Sequence, residues 1–442
     1  MEFSRAKYLN ELLDKKNNSL IKVITGARRC GKSYLMNNIF YNKLLSLGIP
    51  KTSIIRFAFD NDENIDLLEN YYKDEPTKIY NKNGQYTINS KKFRAYIKNV
   101  LKEDTNYYLL LDEIQILDSF VGTLNGFLTH PNYDVYVTGS NSLLLSSEIE
   151  TKFRGRKSSI HMLPLSFSEF MTGFNITPLE AWKMYIVTGG IPLVYKQSIN
   201  DKSTFLLELA NEVYLKDIVG RKGVKEVDTL KELYSLLAST IGALTSPTKL
   251  ERAFKSKRNI KITDDTINNY INHFIDAFIV SKATKYNIKG KSYIDTPYKI
   301  YFEDIGVRNA ILDFRQIEET HLLENIIYNE LRYRNFLVHV GEVDINAPSD
   351  RIDKNGKKIY VKKSLEVDFI ATKGDKKYYI QSCLNINDID VFNRERKSLS
   401  YIDDSFKKII ITKDSLPPRI DESGFVIIDI FDFLLDSNSL NL

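Results

Sequence analysis

The segment Gly26-Ala27-Arg28-Arg29-Cys30-Gly31-Lys32-Ser33 constrains this chain more than any other. Its spacing is Gly-x-x-x-x-Gly-Lys-Ser. The apolar run 21–25 precedes it, and Tyr34, Leu35, Ile39, Leu44 and Leu45 follow at mostly helical steps. Strand, glycine loop and helix in that order let successive backbone N–H groups wrap an anion, and the helix N-terminus adds positive potential. The expectation is a bound nucleoside triphosphate touched by residues 26–34. Lys32 would neutralise the outer phosphates and the Ser33 hydroxyl would ligate Mg²⁺. Cys30 reads as a small residue beside Gly31.

The run Tyr107-Tyr108-Leu109-Leu110-Leu111-Asp112-Glu113 reads as a buried strand ending in two carboxylates. Charges at the end of so apolar a run need a task or a partner. Asp112 would hold the metal through its water shell, and Glu113 would polarise the water that attacks the γ-phosphate. The next strand, 134–138, runs into Gly139-Ser140-Asn141, where Asn141, or Ser140, would hold that water; an ordinary polar turn is the plain alternative. Arg154 and Arg156 follow, and either would stabilise transition-state charge, in its own subunit or a neighbour's, unless they are surface salt bridges.

Strands alternating with helical segments predict a parallel α/β sheet for the first third of the 442 residues. The expected divisions are a nucleotide-binding core at 1–165, a helical lid at 166–244, a winged helix at 245–315 and a small α/β tail at 316–442. With 62 Lys and Arg against 57 Asp and Glu, the net charge of +5 is too mild to imply a partner by itself. Two distant cysteines, Cys30 and Cys383, argue against a disulfide framework, and the N-terminus lacks an apolar signal core. No stretch approaches the length of a membrane span. A cytoplasmic protein is expected.

The order GARRCGKS, YYLLLDEIQ, YVTGSNS, FRGR and MLPLSFSEF resembles the AAA-superfamily ATPases, in particular bacterial and archaeal ATP-binding proteins that carry a C-terminal domain of unknown function. The GGIP at 189–192 and KIYFEDIGVRNA at 299–310 are similar to that family as well. The resemblance implies ATP rather than GTP, a P-loop at 26–33, a metal and water-activating pair at Asp112 and Glu113, a sensor at Ser140 and Asn141, and arginine fingers at Arg154 or Arg156. Its subunits need not form rings, so a homo-oligomer is open.

Between Lys249 and Lys261, six basic residues (Lys249, Arg252, Lys255, Lys257, Arg258 and Lys261) outnumber one acid, Glu251. The helix after them offers Thr266, Asn268, Asn269, Asn272 and His273 beside an apolar stripe of Ile267, Tyr270, Ile271 and Phe274. That pattern suits a DNA-binding winged helix, or one that contacts protein. In the tail, Glu366-Val367-Asp368 followed by Gln381-Ser382-Cys383 has the spacing of a restriction-endonuclease-like core, which the tail resembles. Gln381 replaces an acid and Cys383 a lysine, so a degenerate core is expected. Glu324 or Glu330 from the preceding helix would add a ligand, and Lys397 or Arg394 would stand in for the missing cation. The lysine-rich segment 351–363 reads as a solvated hairpin loop. Three readings follow: an Mg²⁺-dependent ATPase that switches or remodels a protein or nucleic-acid partner, a DNA-binding regulator with ATP as a conformational ligand, and an ATP-dependent nuclease.

Overall fold

The computed structural model describes residues 2–441 apart from 82–83, 103–104, 140–150, 152, 154, 216–217, 221–223, 225, 259, 353–357, 387–388 and 415. The chain divides into two compact units, Met1–Pro164 with Asp276–Phe278, and Leu165–Ile275 with Ile279–Leu442. Among the described residues no helix is long and apolar enough to cross a membrane.

The first unit contains β1 (Ile21–Thr25), β2 (Ile54–Ala58), β3 (Lys78–Tyr80), β4 (Tyr86–Ile88), β5 (Tyr107–Asp112), β6 (Tyr133–Thr138) and β7 (Lys157–His161). Five of them form a sheet in the order β2-β5-β6-β1-β7, with every pair parallel. Parallel strands covered on both faces are buried along their length, as β1 and β5 are at every position; the one charge this encloses in β1, Lys22, is met by Asp134 of β6. Phe57 and Phe59 meet Phe93 at ring-centroid distances of 4.9 Å each, in edge-to-face contacts on one side of the sheet. The short β3–β4 hairpin was not foreseen from sequence.

Strand order decides what meets what. β6 lies between β1 and β5, pairing Ile24 with Thr138 and Leu111 with Val137. The C-terminal ends of β1, β5 and β6 therefore share one edge, where ligands of open α/β sheets bind.

The second unit begins with helices Phe167–Phe174 and Pro178–Thr188, each opened by a reciprocal capping box, Ser166 with Glu169 and Thr177 with Glu180. Helices Pro247–Ala253 and Asp264–Asp276 then precede β8 (Val280–Asn287) and β9 (Ser292–Phe302). The anticipated stripe of Ile267, Tyr270, Ile271 and Phe274 is buried. β8 and β9 do not stop as a wing: β8 pairs in parallel with β10 (Leu337–Ile352), which leads on to β11 (Lys358–Lys373), β12 (Lys376–Cys383), β13 (Lys407–Thr412), β14 (Arg419–Ile420) and β15 (Val426–Asp429). One eight-stranded sheet results, in the order β14-β15-β13-β12-β11-β10-β8-β9. Of segment 351–363, expected as a solvated hairpin loop, the described residues 351–352 and 358–363 are strand: Ile352 pairs with Lys358 and Pro348 with Tyr360.

The two motifs at 189–192 and 299–310 interlock within this unit. Asp304 accepts from Gly190 N at 2.7 Å and Val307 N at 2.9 Å, and Asn309 Nδ2 donates to Ile186 O at 2.8 Å. A Cβ on Gly189 would lie 2.3 Å from Asp304 Oδ1 and one on Gly306 would lie 2.2 Å from Thr188 O. Glycine is required there by close approach of two chain segments, which is a packing reason for both motifs.

Candidate nucleotide site

The loop after β1 turns on glycines in the left-handed half of backbone space, Gly26 at φ +144° and Gly31 at +104°. A Cβ on Gly26 would sit 2.1 Å from Met162 O, so the chain passing after β7 demands glycine independently of any ligand. The helix begins at Lys32, whose ammonium is buried and donates to Gly26 O and Ala27 O, each at 2.9 Å. Both acceptors are neutral and leave its charge uncancelled.

Asp112 ends β5 across the sheet edge from this loop. Ser33 Oγ donates to its Oδ1 at 3.1 Å, Asn37 Nδ2 to its Oδ2 at 3.1 Å, and Thr138 Oγ1 to Oδ1 as well. Burial pushes the Asp112 carboxyl up, the hydroxyls of Thr138 and Ser33 oppose this, and the charges of Glu113 and Asp60 add to it. Glu113 follows at φ +52°, its N–H donating to Thr138 Oγ1 at 3.1 Å. Gln115 Nε2 donates to Glu113 Oε2. Asp60, just past β2, is pushed up by burial and by Glu113, against the pull of Arg28. A buried carboxylate met by neutral donors, with two further acids acting on it, is short of positive charge. The oxygen-only pair of Ser33 hydroxyl and Asp112 carboxylate is the donor chemistry a hard ion such as Mg²⁺ takes.

Of the anticipated residues, the structure brings together Gly26, Gly31, Lys32, Ser33, Asp112 and Glu113. Tyr34 points its hydroxyl to Glu2 Oε1 at 2.7 Å. Cys30 is buried in the loop. Ser140, Asn141 and Arg154 lie outside the described residues. Arg156 is placed at the other end of the sheet: it immediately precedes β7, and its carbonyl accepts from Ile21 N, at the start of β1, at 3.0 Å. Within one chain it is therefore not with Lys32 and Asp112. Sequence reasoning missed Asn37, Asp60, Gln115 and Thr138. Asn37 and Thr138 carried a usable signal, the first one helical turn past Ser33 and the second a hydroxyl ending a strand predicted to share the site's edge.

The tail's acids keep different company. Lys299 of β9, only 2% exposed, reaches Glu324 at 2.7 Å, Glu366 at 2.6 Å and Asp368 at 3.7 Å. Tyr301 Oη donates to Glu324 Oε1 at 2.6 Å, and Ser382 donates to Asp368 Oδ2 through N (2.9 Å) and Oγ (2.6 Å). Gln381 accepts from Asp368 N and donates to Glu395, while the Cys383 thiol donates to Asn385 O. Two expectations are corrected here. Glu330 is not at this cluster: six residues from Glu324 is about 240° around a helix, and Glu330 instead pairs with Arg334 at 2.7 Å. The cation is Lys299, not Arg394, which pairs with its neighbour Glu395 at 3.2 Å, nor Lys397, which is exposed. It comes from β9, more than sixty residues before Glu366 and Asp368, and not from the helix that follows them.

Residues 18–171 match the family model described as an AAA domain, and residues 179–318 match a domain of unknown function (DUF8612). A relative in Haemophilus influenzae, itself described as an uncharacterized protein, is 30% identical over 438 residues, covering 98% of both chains. Another in Methanocaldococcus jannaschii is 29% identical, covering 88% of this chain and 84% of its own. Among solved structures, the Aeropyrum pernix ORC2 protein with ADPNP and ADP superposes with a TM-score of 0.34 at 12% identity, over 74% of this chain and 94% of that one. The fold assignment rests on the sequence relationship and the strand order, not on that superposition.

Proposed function

This chain belongs to the family of proteins that join an AAA domain to a domain of unknown function, and on that premise we propose that it binds ATP with Mg²⁺ and hydrolyses it. The cycle would switch or remodel a protein or nucleic-acid partner. The observation that carries the reading is the 3.1 Å contact between Ser33 Oγ and Asp112 Oδ1, which joins the glycine loop to the acid-bearing strand.

In this reading the backbone N–H groups of 26–33 cradle the phosphates and Lys32 exchanges its two carbonyl partners for phosphate oxygens. Ser33 Oγ and Asp112 would hold Mg²⁺, which would supply positive charge beside the outer phosphates. Glu113 orients the attacking water and draws off its proton, once Gln115 releases its carboxylate. Asn141 or Ser140 helps to hold that water, and Arg154 or Arg156 completes the charge balance. The position of Arg156, at the far end of its own sheet, favours reach into a neighbouring subunit. The division into core (1–165), lid (166–244), winged helix (245–315) and nuclease-like tail (316–442) belongs to the same reading, as does a cytoplasmic site for a chain with two free thiols.

Lys32→Ala should abolish binding of a fluorescent ATP analogue, and Glu113→Gln should retain binding while phosphate release stops. Unchanged turnover in both variants refutes the site. A second reading, DNA binding through the winged helix, draws support from helix Asp264–Asp276, which buries its apolar stripe and leaves Asn268, Asn269 and Asn272 exposed. Reversing Lys255 and Lys261 should then weaken DNA binding.

A further inference from the structure

We propose that the outer part of the β10–β11 hairpin is an arm that binds duplex DNA in its major groove, with Lys358 and Lys362 on the flanking phosphates and Tyr360 over the bases between them. Both strands are 16 residues long, far longer than the sheet that holds them. β8 pairs with β10 only from Val340 to Glu342, and β12 pairs with β11 only from Phe369 to Lys373. From Val343↔Leu365 outward to Ile352↔Lys358 the two strands pair with each other alone among the described residues.

A strand lying on a core alternates between buried and exposed. β11 does not: its first seven residues, 358–364, are all exposed, including three consecutive apolar ones, Ile359 (38%), Tyr360 (65%) and Val361 (45%). Residues 358–364 thus meet solvent on both sides of β11, while its partner β10 keeps Val343 and Ile345 in the core and leaves Asn346 and Pro348, opposite Lys362 and Tyr360, exposed. The charge of this stretch is as distinctive. Residues 358–363 of β11 hold three lysines (Lys358, Lys362, Lys363) and no acid. A concentrated positive field with an interleaved aromatic matches a polyanion that offers stacked rings.

The dimensions select the duplex. Lys358, Tyr360 and Lys362 alternate onto one face, so the lysines stand about 13 Å apart at roughly 3.3 Å per residue. The major groove of B-DNA is about 12 Å wide and admits a two-stranded ribbon, whereas that of duplex RNA is too deep and narrow. Lys362 now pairs with Asp344 at 2.9 Å, but its side chain is 73% exposed, and so open a pair yields readily to a phosphate. The plain alternative is that the lysines merely guard an open strand edge against aggregation.

Anisotropy of a fluorescein-labelled 20-base-pair duplex with the full chain, in about 50 to 200 mM salt, tests the arm. The Lys358→Glu/Lys362→Glu variant should lose at least about tenfold in affinity and flatten the log–log salt slope by roughly 2, near 0.9 per phosphate contact. Tyr360→Ala should weaken binding several-fold without altering that slope. Glutamates guard an edge as well as lysines do, so a guarding role alone predicts unchanged DNA affinity in the double variant, and that result overturns the arm. So does a wild-type chain that binds no duplex at about 50 mM salt, whatever its ATP turnover.

Discussion

Lys32 and Lys299 are both buried lysines near the carboxylates of a strand, one in each compact unit, and the difference lies in how each charge is met. Lys32 donates to two backbone carbonyls, while Asp112 is held by hydroxyls and an amide. Cation and anion stay apart, each stabilised by neutral groups that a ligand can displace. In the second unit Lys299 touches three carboxylates directly. Its charge is already matched, so the cluster has the character of an internal ion network whose role is cohesion. A site able to take up phosphate and metal must leave its charges unpaired with each other. A structural cluster must not.

The largest expected effect follows from the open site. Glu113→Gln should lower ATP turnover by about 10²–10⁴-fold, the usual worth of a positioned general base, with nucleotide affinity and melting temperature nearly unchanged. Phosphate-release kinetics beside calorimetry read both, and a large loss of stability would erase the contrast with the second unit. Next comes a paired substitution. Lys299→Met strands the buried Asp368 and the largely buried Glu324, beside the half-exposed Glu366, and should cost about 3–5 kcal/mol in chemical denaturation. Lys32→Met, which removes only carbonyl contacts, should cost no more than about 2 kcal/mol. Equal costs would mean that the two lysines do the same job.

A smaller effect is set by pH. Burial pushes the Glu324 carboxyl up from 4.5 to about 7, against the pull of Lys299. The folded chain therefore holds this proton more tightly than the unfolded chain does. That contribution to stability is complete below pH 4.5 and is lost as pH rises through about 7. Glu324→Gln should remove this component, a few degrees in melting temperature, so its curve between pH 4.5 and 7 should fall less steeply than the wild type's. The smallest effect separates the cysteines. Cys383, pushed up to about 11 mainly by burial, and Cys30, buried in the loop, should both label slowly with maleimide in the native chain. Added ATP should slow only Cys30.

Local chemistry was enough to read some of this protein from its residues. The glycine spacing of 26–33 and the apolar run ending in Asp112 and Glu113 announce their elements because backbone freedom and hydrophobic periodicity act over a few neighbouring residues. The buried stripe of the helix at 264–276 was legible for the same reason. Other assignments depended on which strands lie side by side. Thr138 bridges Asp112 and Glu113 only because β6 is threaded between β1 and β5, and Arg156 is carried away from the loop because it precedes β7 instead of following it. Lys299 of β9 meets Asp368 of β11 although β8 and β10 lie between those strands in the sheet, and Glu324 rather than Glu330 joins them through helical phase. Such contacts arise from pairing between distant segments, whose energies are spread over many backbone hydrogen bonds and leave no mark at the residues they bring together.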